Sequence, residues 1–133
     1  MAISKTVFRL RPELDLVLGL VQAVRCGDLL FVGGISAVDE HGEVIAPDDI
    51  ARQLENVYTV LGEVLRAHGA GPAQVLKETL LSTDAPALWS CLPIRQRFYA
   101  AVDPPAVTAA EVRRFVLPGV AVMLEAVVAL AAD

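Results

Sequence analysis

Apolar runs separated by turn residues predict three strands in the first third of the chain. The runs cover residues 7–10, 22–26 and 29–34, and they contain the valine, leucine and phenylalanine that strands favour. Gly27-Asp28 stands between the second and third runs, where a glycine-containing pair is typical of a tight turn. We therefore expect the second and third strands to form a hairpin.

The middle of the chain shows the apolar spacing of a helix instead. Pro47-Asp48-Asp49 supplies N-terminal helix signals, and His68-Gly69 marks the end of this helix. A second helix is predicted over residues 87–99, where Pro93 should bend the helix or delay its start. The apolar positions of the first helix recur at spacings of three and four, which places them on one buried face: Ile50, Leu54, Val57, Tyr58, Leu61 and Leu65.

Three further strands are predicted over residues 75–82, 107–113 and 120–130. The resulting order, βββαβαββ, indicates one α+β domain over residues 1–133, with a mixed sheet and two helices on one face. The last strand lacks polar alternation, so we expect both of its faces to be covered. Helices should cover one face, and a neighbouring subunit should cover the other.

Composition also favours burial between subunits. Hydrophobic residues make up 55% of the 133-residue chain and the mean hydropathy is +0.54, whereas average apolar usage is about 45 to 50%. No membrane span is expected, because Pro118 and Glu125 interrupt the most apolar part before a run of about 18 residues can form. The first residues contain no long apolar core, which disfavours a secretory signal and indicates a cytoplasmic protein.

Charge and residue spacing exclude several classes of partner. The net charge is -5 and the one tight basic pair is Arg113-Arg114, so we expect no nucleic-acid partner. Cys26 and Cys91 lie far apart, without the spacing of a redox motif or of a metal site. Gly33-Gly34 is not followed by the residues of a phosphate-binding loop. We expect no cofactor and no metal.

Several short motifs together resemble the Rid (YjgF) family of reactive intermediate deaminases. Gln22-Ala23-Val24 and the run from Gly27 to Gly34 look like the early hairpin of that family, and Pro105-Ala106 and Glu125-Ala126 look like its two late motifs. Glu55-Asn56-Val57 and Asp84 fall at matching places between them. The resemblance implies a chorismate-mutase-like fold and a homotrimer that binds small molecules in clefts between adjacent subunits.

This chain departs from the family pattern at positions that the resemblance assigns to substrate binding. The family arginine that grips a substrate carboxylate is Val107 here, and valine has no hydrogen-bond donors for a carboxylate. The other departures each replace a polar family residue with an apolar residue or glycine, at Leu20, Gly33, Ile35 and Leu92. A cleft with these residues should bind a more apolar or neutral ligand, because unpaired buried polar atoms cost about 1 to 3 kcal/mol each.

Glu125 is the catalytic candidate. The resemblance places it near the cleft, where it can orient water, and an apolar strand is a setting that tends to raise the pKa of a carboxyl group. The alternative is a buried, hydrogen-bonded glutamate that holds the strand or the trimer in place. The sequence leaves both interpretations open.

Strand alternation adds candidate residues beside Val107. Ala109 and Glu111 should lie on the same side of the strand as Val107, so they can contribute to the cleft wall, although Glu111 can equally form a surface ion pair. Arg113 or Arg114 can replace the missing arginine from another direction. His41 and His68 are expected to be solvated, and neither cysteine has an evident histidine partner that would make it a nucleophile.

Two functional hypotheses follow. The first is an enzyme that acts on an imine, an enamine or a related carbonyl intermediate, with Glu125 positioning water. The second is a trimer that binds a hydrophobic intermediate, or an accessory protein that promotes its tautomerisation or cyclisation. Ribonuclease activity, which some relatives have, is disfavoured by the acidic charge balance.

Overall fold

The computed structural model describes residues 3–131 and contains six strands and four helices. The strands form one sheet in the order β1-β2-β3-β6-β4-β5, as given by their hydrogen-bonded neighbours. In chain order the elements are β1 (Thr6–Phe8), α1 (Pro12–Leu18), β2 (Ala23–Cys26), β3 (Leu29–Ser36), α2 (Ile50–Ala67), β4 (Val75–Ser82), α3 (Ala85–Ser90), α4 (Leu92–Phe98), β5 (Ala106–Glu111) and β6 (Val122–Ala129).

The predicted α+β class and the six strands are confirmed, but the helix count is wrong. Helix α1 was not predicted, although Pro12 at its start and left-handed Gly19 at its end are typical helix boundaries. The predicted second helix is divided into α3 and α4 at Cys91. Pro93 explains the break, because proline is tolerated in the first turn of α4 but would remove a hydrogen bond from the interior of a longer helix.

The two longest antiparallel pairings place β6 between β3 and β4. Strand β5 pairs with β4 in parallel, and it forms an edge of the sheet. Strands β2 and β3 form the predicted hairpin around Gly27, which adopts the left-handed conformation at φ 61°. The centre of the sheet is therefore built from residues that are far apart in sequence.

Helices α2, α3 and α4 lie on one face of the sheet, and the hydrophobic core lies between them and the strands. Strand β6 shows how this face is selected, because Val122, Leu124, Ala126 and Val128 are buried while the residues between them are not. The opposite face, which we call the open face, carries partly exposed apolar side chains such as Phe31 and Val127. The expected helix cover on one face of β6 is confirmed, and the expected subunit cover on the other stays a prediction.

Strand β3 contains a β-bulge at Gly33-Gly34. Val32 pairs with Ala126 and Ile35 pairs with Leu124, so two glycines lie opposite the single residue Glu125. A Cβ atom at Gly34 would lie 2.6 Å from the sulfur of Met123, which excludes a larger residue without movement. The bulge therefore removes side chains from the open face beside Glu125.

The described residues give no support to a membrane-spanning segment: between residues 3 and 131, no helix has both the length and the apolarity needed to cross a bilayer. In the same range, no three His, Cys, Asp or Glu side chains form a group that could hold a metal ion.

Candidate functional site

The open face contains a groove of about 580 Å³ beside the bulge. Strands β2, β3, β4 and β6 all contribute to it, and Glu125 projects from β6. The lining residues are mostly apolar, with a few polar groups placed among them: Val21, Gln22, Ala23, Val24, Phe31, Val32, Gly33, Lys77, Thr79, Glu125, Ala126 and Val127. Such a mixture is typical of small-molecule sites.

Glu125 is exposed in the single chain. It lies opposite Thr79 of β4 in the antiparallel register, and no hydrogen bond or ion pair joins its carboxylate to any residue from 3 to 131. The nearby Lys77 donates to the hydroxyl of Thr108 at 2.6 Å instead. Apolar side chains thus line the groove around Glu125, but its carboxylate is exposed in the single chain.

Gln22 and Gly33 form a polar rim on the other side of the groove. The backbone N–H of Gly33 donates to the carbonyl of Gln22 at 2.8 Å, and the Gln22 side-chain amide donates to the carbonyl of Gly33 at 3.1 Å. A Cβ atom at Gly33 would lie 3.4 Å from the Gln22 carbonyl. That distance is an ordinary van der Waals contact, so the glycine leaves the groove open here without being required by the backbone.

A second cavity, of about 360 Å³, lies on the helix side of the sheet between β5 and helices α3 and α4. Val107 and Ala109 line it from β5, where they pair in register with buried Glu78 and Leu80 of β4. We call this cavity the apolar pocket, because eight of the nine described residues that line it are apolar: Leu80, Ala85, Leu88, Trp89, Leu92, Val107, Ala109 and Ala110, with Arg95 as the ninth.

Arg95 forms part of a buried polar cluster below the apolar pocket. Its Nε donates to Glu78 Oε1, and its guanidinium lies 5.1 Å from the centre of the Tyr99 ring. Two buried tyrosine hydroxyls also donate to Glu78, from Tyr58 at 3.1 Å and from Tyr99 at 2.7 Å. Glu78 is 0% exposed, so these three donors replace its contacts with water.

The buried cluster shifts the ionisation of its members. Burial, reinforced by the negative charge of Glu78, raises the pKa of Tyr58 and of Tyr99 well above the usual tyrosine range. Burial alone would lower the pKa of Arg95, but the hydrogen bond and charge of Glu78 raise it. Both tyrosines are therefore neutral and Arg95 is positively charged at neutral pH.

The remaining predicted site residues are dispersed. Leu20 is exposed after α1, whereas Ile35 is only 2% exposed and points into the core, so its side chain does not reach the groove. The bulge explains this, because it shifts the alternation of β3 by one residue. Glu111 lies in register with Ser82, and its carboxylate accepts the backbone N–H of Ala85 at 2.9 Å, at the start of α3.

Arg113 and Arg114 follow β5 in a loop and line a different groove from Val107 within the chain. Arg95 is the arginine that shares a cavity with Val107. Strand β5 ends two residues earlier than predicted, at Glu111, which places both later arginines outside the sheet.

The histidines and Cys91 lie outside both cavities. His41 is exposed as expected, whereas His68 is only partly exposed, because it packs edge-on against Phe8 at 4.9 Å and its Nδ1 lies 2.7 Å from the carbonyl of Val64. Burial, followed by the charges of Asp49 and Glu55, raises the pKa of the Cys91 thiol. A raised thiol pKa disfavours the thiolate that a nucleophile needs.

Four polar residues in or beside the two cavities were not predicted from the sequence: Lys77 and Thr79 line the groove, Arg95 lines the apolar pocket, and Glu78 lies behind Arg95. Lys77 and Thr79 alternate with Glu78 along β4, so the pattern of that strand contained a signal for a polar open face. Glu78 lies on the same face of β4 as Leu80, because the two residues are two positions apart. This indicates that the Glu78 carboxylate is buried and needs a cationic partner. Nothing in the sequence identifies Arg95 as that partner, because the contact depends on where α4 lies.

Comparison with known proteins gives a family match for most of the chain. The sequence profile described as endoribonuclease L-PSP matches residues 12–130. A search of curated protein sequences found no match.

Solved structures with the same fold come from several bacteria. Rv2704 of Mycobacterium tuberculosis, described as a member of the YjgF/YER057c/UK114 family, is 24% identical and has a TM-score of 0.79, covering 96% of this chain and 100% of that one. The Rid protein YyfA of Yersinia pestis is 20% identical with a TM-score of 0.86 over the same shares of the two chains. RidA of an Antarctic Psychrobacter is 21% identical with a TM-score of 0.74, covering 83% of this chain and 87% of that one.

Proposed function

We infer, because this chain belongs to the endoribonuclease L-PSP family, also called the YjgF or Rid family, that it is a homotrimeric enzyme that hydrolyses an imine or enamine intermediate. The reaction would take place in a cleft between subunits. Its substrate would differ from an amino-acid-derived imine because the position of the carboxylate-binding arginine is occupied by Val107.

The observation that carries this proposal is the division of the site between the two faces of the sheet. Glu125 and Gly33 line the groove on the open face, whereas Leu92, Val107 and Ala109 line the apolar pocket on the helix face. A single chain cannot bring these two sets of residues together. A second copy that places its edge strand β5 against the groove of the first would complete one site from two halves.

The apolar residues of the open face support a trimer. Phe31 is 46% exposed in one chain, and Val127 lies directly opposite it in the register of β3 and β6. Burial of such side chains is favourable by about 25 cal/mol for each Å² of apolar surface removed from water. A neighbouring subunit is an occupant that would cover this surface and exclude bulk water from Glu125 at the same time.

The proposed chemistry requires one carboxylate and one water. Water adds to the carbon of the C=N bond and the nitrogen gains a proton. The C–N bond of the resulting carbinolamine then breaks, and ammonia leaves with a carbonyl product. Glu125 would orient the water, accept its proton and pass that proton to the imine nitrogen in the first step. In the second step Glu125 would accept the hydroxyl proton of the carbinolamine and donate it to the nitrogen as the C–N bond breaks. Desolvation by a neighbouring subunit would favour removal of the water's proton, because it makes the carboxylate a stronger base.

The substitution Glu125→Gln tests this role. Amide and carboxylate have similar shapes, but the amide cannot accept the proton, so release of ammonia from a neutral aryl ketimine should fall by about 100-fold or more. The matched control is Glu63→Gln, an exposed glutamate on α2 that lines neither cavity. Unchanged turnover in Glu125→Gln would overturn the catalytic assignment.

A second assay tests the substrate class. Imines of α-keto acids, generated by an amino acid oxidase, should be hydrolysed poorly, whereas the neutral ketimine should be hydrolysed well. Val107→Arg should improve hydrolysis of the α-imino acid, because it restores a bidentate carboxylate anchor. Rapid hydrolysis of the α-imino acid by the unchanged chain would show that the valine does not alter the ligand class.

The substitution Phe31→Asp tests the subunit contact. A carboxylate on the open face should dissociate the trimer, which sedimentation velocity can measure, and should also abolish turnover. Thr59→Asp introduces the same charge on the exposed side of α2 and should leave both properties unchanged. A monomeric unchanged chain with full activity would contradict the divided site.

The apolar pocket also supports the second candidate, a trimer that binds a hydrophobic intermediate without hydrolysing it. In that case the unchanged chain would release no ammonia from the ketimine, and Glu125→Gln would leave ligand binding intact. Nuclease activity is disfavoured by the net charge of -5 and by the single cation, Lys77, among the described residues that line the groove.

A further inference from the structure

The apolar pocket has one polar side chain among the nine described residues that line it, and its charge is already balanced. Arg95 lines the pocket, and its side chain is 14% exposed. Behind it lies the carboxylate of Glu78, which is fully buried and accepts from Arg95 Nε. The pocket therefore contains a guanidinium whose positive charge is neutralised from inside the protein.

The contacts of Arg95 leave part of its donor set unused. Nε donates to Glu78, and Nη2 lies 3.5 Å from the carbonyl of Pro105. Among residues 3–131 no acceptor lies against Nη1, and this atom is not enclosed by the described residues. A guanidinium has five N–H donors in a planar fork, so donors remain for a molecule in the pocket.

We propose that Arg95, held in place by Glu78, determines the specificity of the apolar pocket by donating a hydrogen bond to a neutral carbonyl oxygen of an otherwise apolar ligand. A hydrocarbon would displace water from these donors without replacing its hydrogen bonds, which is unfavourable. A carboxylate would bring a second anion close to Glu78, and the repulsion would offset much of its attraction to Arg95. A ketone or an amide satisfies the donors without adding charge.

The orientation of Arg95 is fixed before any ligand binds. Tyr99 packs its ring against the guanidinium, and its hydroxyl holds the second oxygen of Glu78 at 2.7 Å. Leu80 and Leu88 are buried where they line the pocket, so the apolar part of a ligand can pack against them while its acceptor contacts the guanidinium. Such preorganisation reduces the entropy that is lost on binding.

This inference rests on the proposed function for the identity of the pocket as one half of the site, but its test measures binding alone. Trp89 is the single tryptophan of the chain and is 75% exposed at the pocket rim, so its fluorescence reports occupancy. Three probes of similar shape are titrated into the unchanged chain: 4-phenylbutan-2-one, 4-phenylbutanoate and butylbenzene. The ketone should bind at least about tenfold more tightly than either of the others.

Substitutions in the ion pair should change this order. Glu78→Gln keeps an acceptor for the tyrosines but leaves the charge of Arg95 unbalanced, so 4-phenylbutanoate should become the tightest ligand by at least about tenfold. Glu78→Leu combined with Arg95→Met should remove the preference for the ketone while butylbenzene still binds. Arg97→Gln is the matched control, because this arginine lies on the same helix, is 71% exposed and contacts only Glu55 among its possible ion-pair partners in the described range.

The outcomes separate this inference from the proposed reaction. A preference of the unchanged chain for the carboxylate, equal binding of the three probes, or no response of Trp89 to any of them would each overturn the role of Arg95. If a substitution at Glu78 prevents folding, the order of the probes in the unchanged chain still decides. None of these results alters the Glu125→Gln turnover test, which depends on the opposite face of the sheet.

Discussion

Two glutamates on neighbouring strands, Glu78 and Glu125, have opposite environments although they are one register position apart. Glu78 pairs with Ala126 and faces the helices, whereas Glu125 pairs with Thr79 and faces the groove. Glu78 is 0% exposed and accepts hydrogen bonds from one arginine and two tyrosines. Glu125 is exposed and has no such donors among the described residues.

The difference shows that the face of the sheet, and not the hydrophobicity of neighbouring residues in sequence, sets the environment of a carboxylate. Glu125 stands in the more apolar strand, yet Glu78 is the buried acid. A fully paired carboxylate contributes to stability and specificity, because its lone pairs are already used. An unpaired carboxylate in a groove keeps its lone pairs for water or substrate, and this is the chemical reason for our proposal that Glu125 is catalytic.

The largest expected effect is on stability. Glu78→Ala should lower the free energy of unfolding by about 3 to 5 kcal/mol, because Arg95 loses its anion and two buried hydroxyls lose their acceptor. Glu125→Ala should change it by less than about 0.5 kcal/mol. Urea unfolding followed by circular dichroism, at one chain concentration and pH 7, measures both values.

The order of the two positions should reverse when activity is measured instead of stability. Glu125→Ala should abolish turnover in a folded protein, whereas a folded Glu78→Gln protein should retain measurable turnover with altered ligand preference. Equal losses of stability at the two positions would show that the environment of the two carboxylates does not differ in solution.

A double-mutant cycle sharpens the assignment of Glu78. Glu78→Leu leaves Arg95 as an unpaired, largely buried cation, so adding Arg95→Met should recover at least about 2 kcal/mol of the lost stability. The two substitutions interact because Arg95→Met removes the positive charge that Glu78→Leu leaves unpaired. Losses that simply add in the double variant would mean that Arg95 reaches water when Glu78 is absent.

Much of this fold could be predicted from the sequence. The predicted strand over residues 75–82 coincides with β4, and the spacing of Ile50, Leu54 and Leu61 identified the buried face of α2. Helix α1 was missed because its seven residues form only two turns, too few for an apolar period to emerge. Pro93 predicted a bend or a late start in the second helix. The position of the break at Cys91 could not be predicted, because it depends on how α3 and α4 pack.

The site was less predictable for a physical reason. Strand β6 is apolar on both faces, so its sequence does not indicate which face is covered by the helices or where Glu125 points. The contact between Glu78 and Arg95 joins residues 17 positions apart and requires α4 to lie over β4. The bulge that moves Ile35 into the core is indicated in the sequence only by the pair Gly33-Gly34. Pairing between distant residues carries no local pattern.

Alkaline pH should destabilise the cluster around Glu78 on the helix face of the sheet. Tyr58 and Tyr99 are the only two tyrosines of the chain, and both donate to Glu78. Because burial raises their pKa in the folded protein above the unfolded value near 10, their contribution to stability is complete below about pH 10 and is lost as the pH rises further. Stability should fall by about 1.4 kcal/mol per pH unit for each tyrosine.

Absorbance of the tyrosinate at 295 nm measures this directly. It should appear together with unfolding and not before it. Tyr58→Phe should halve the dependence of stability on pH above pH 10, because one releasable proton is removed from the unfolded state. Ionisation of either tyrosine in the folded protein would show that the cluster around Glu78 is open to water.

The smallest effect concerns a third carboxylate, Asp39, which is hydrogen-bonded like Glu78 but lies at the surface like Glu125. The backbone N–H groups of Glu43 and His41 donate to it at 3.0 Å and 2.8 Å, and they lower its pKa. A lowered folded value means that the stabilisation is present above about pH 4 and is lost as the pH falls through the folded pKa. Asp39→Asn, which keeps an acceptor of the same shape without the charge, should therefore be slightly less stable than the unchanged chain at pH 6, and this difference should shrink as the pH falls below about 4. Urea midpoints of the two proteins across this pH range measure the difference in stability. A difference that is constant with pH would show that hydrogen bonding without burial does not fix the charge of a carboxylate in this protein.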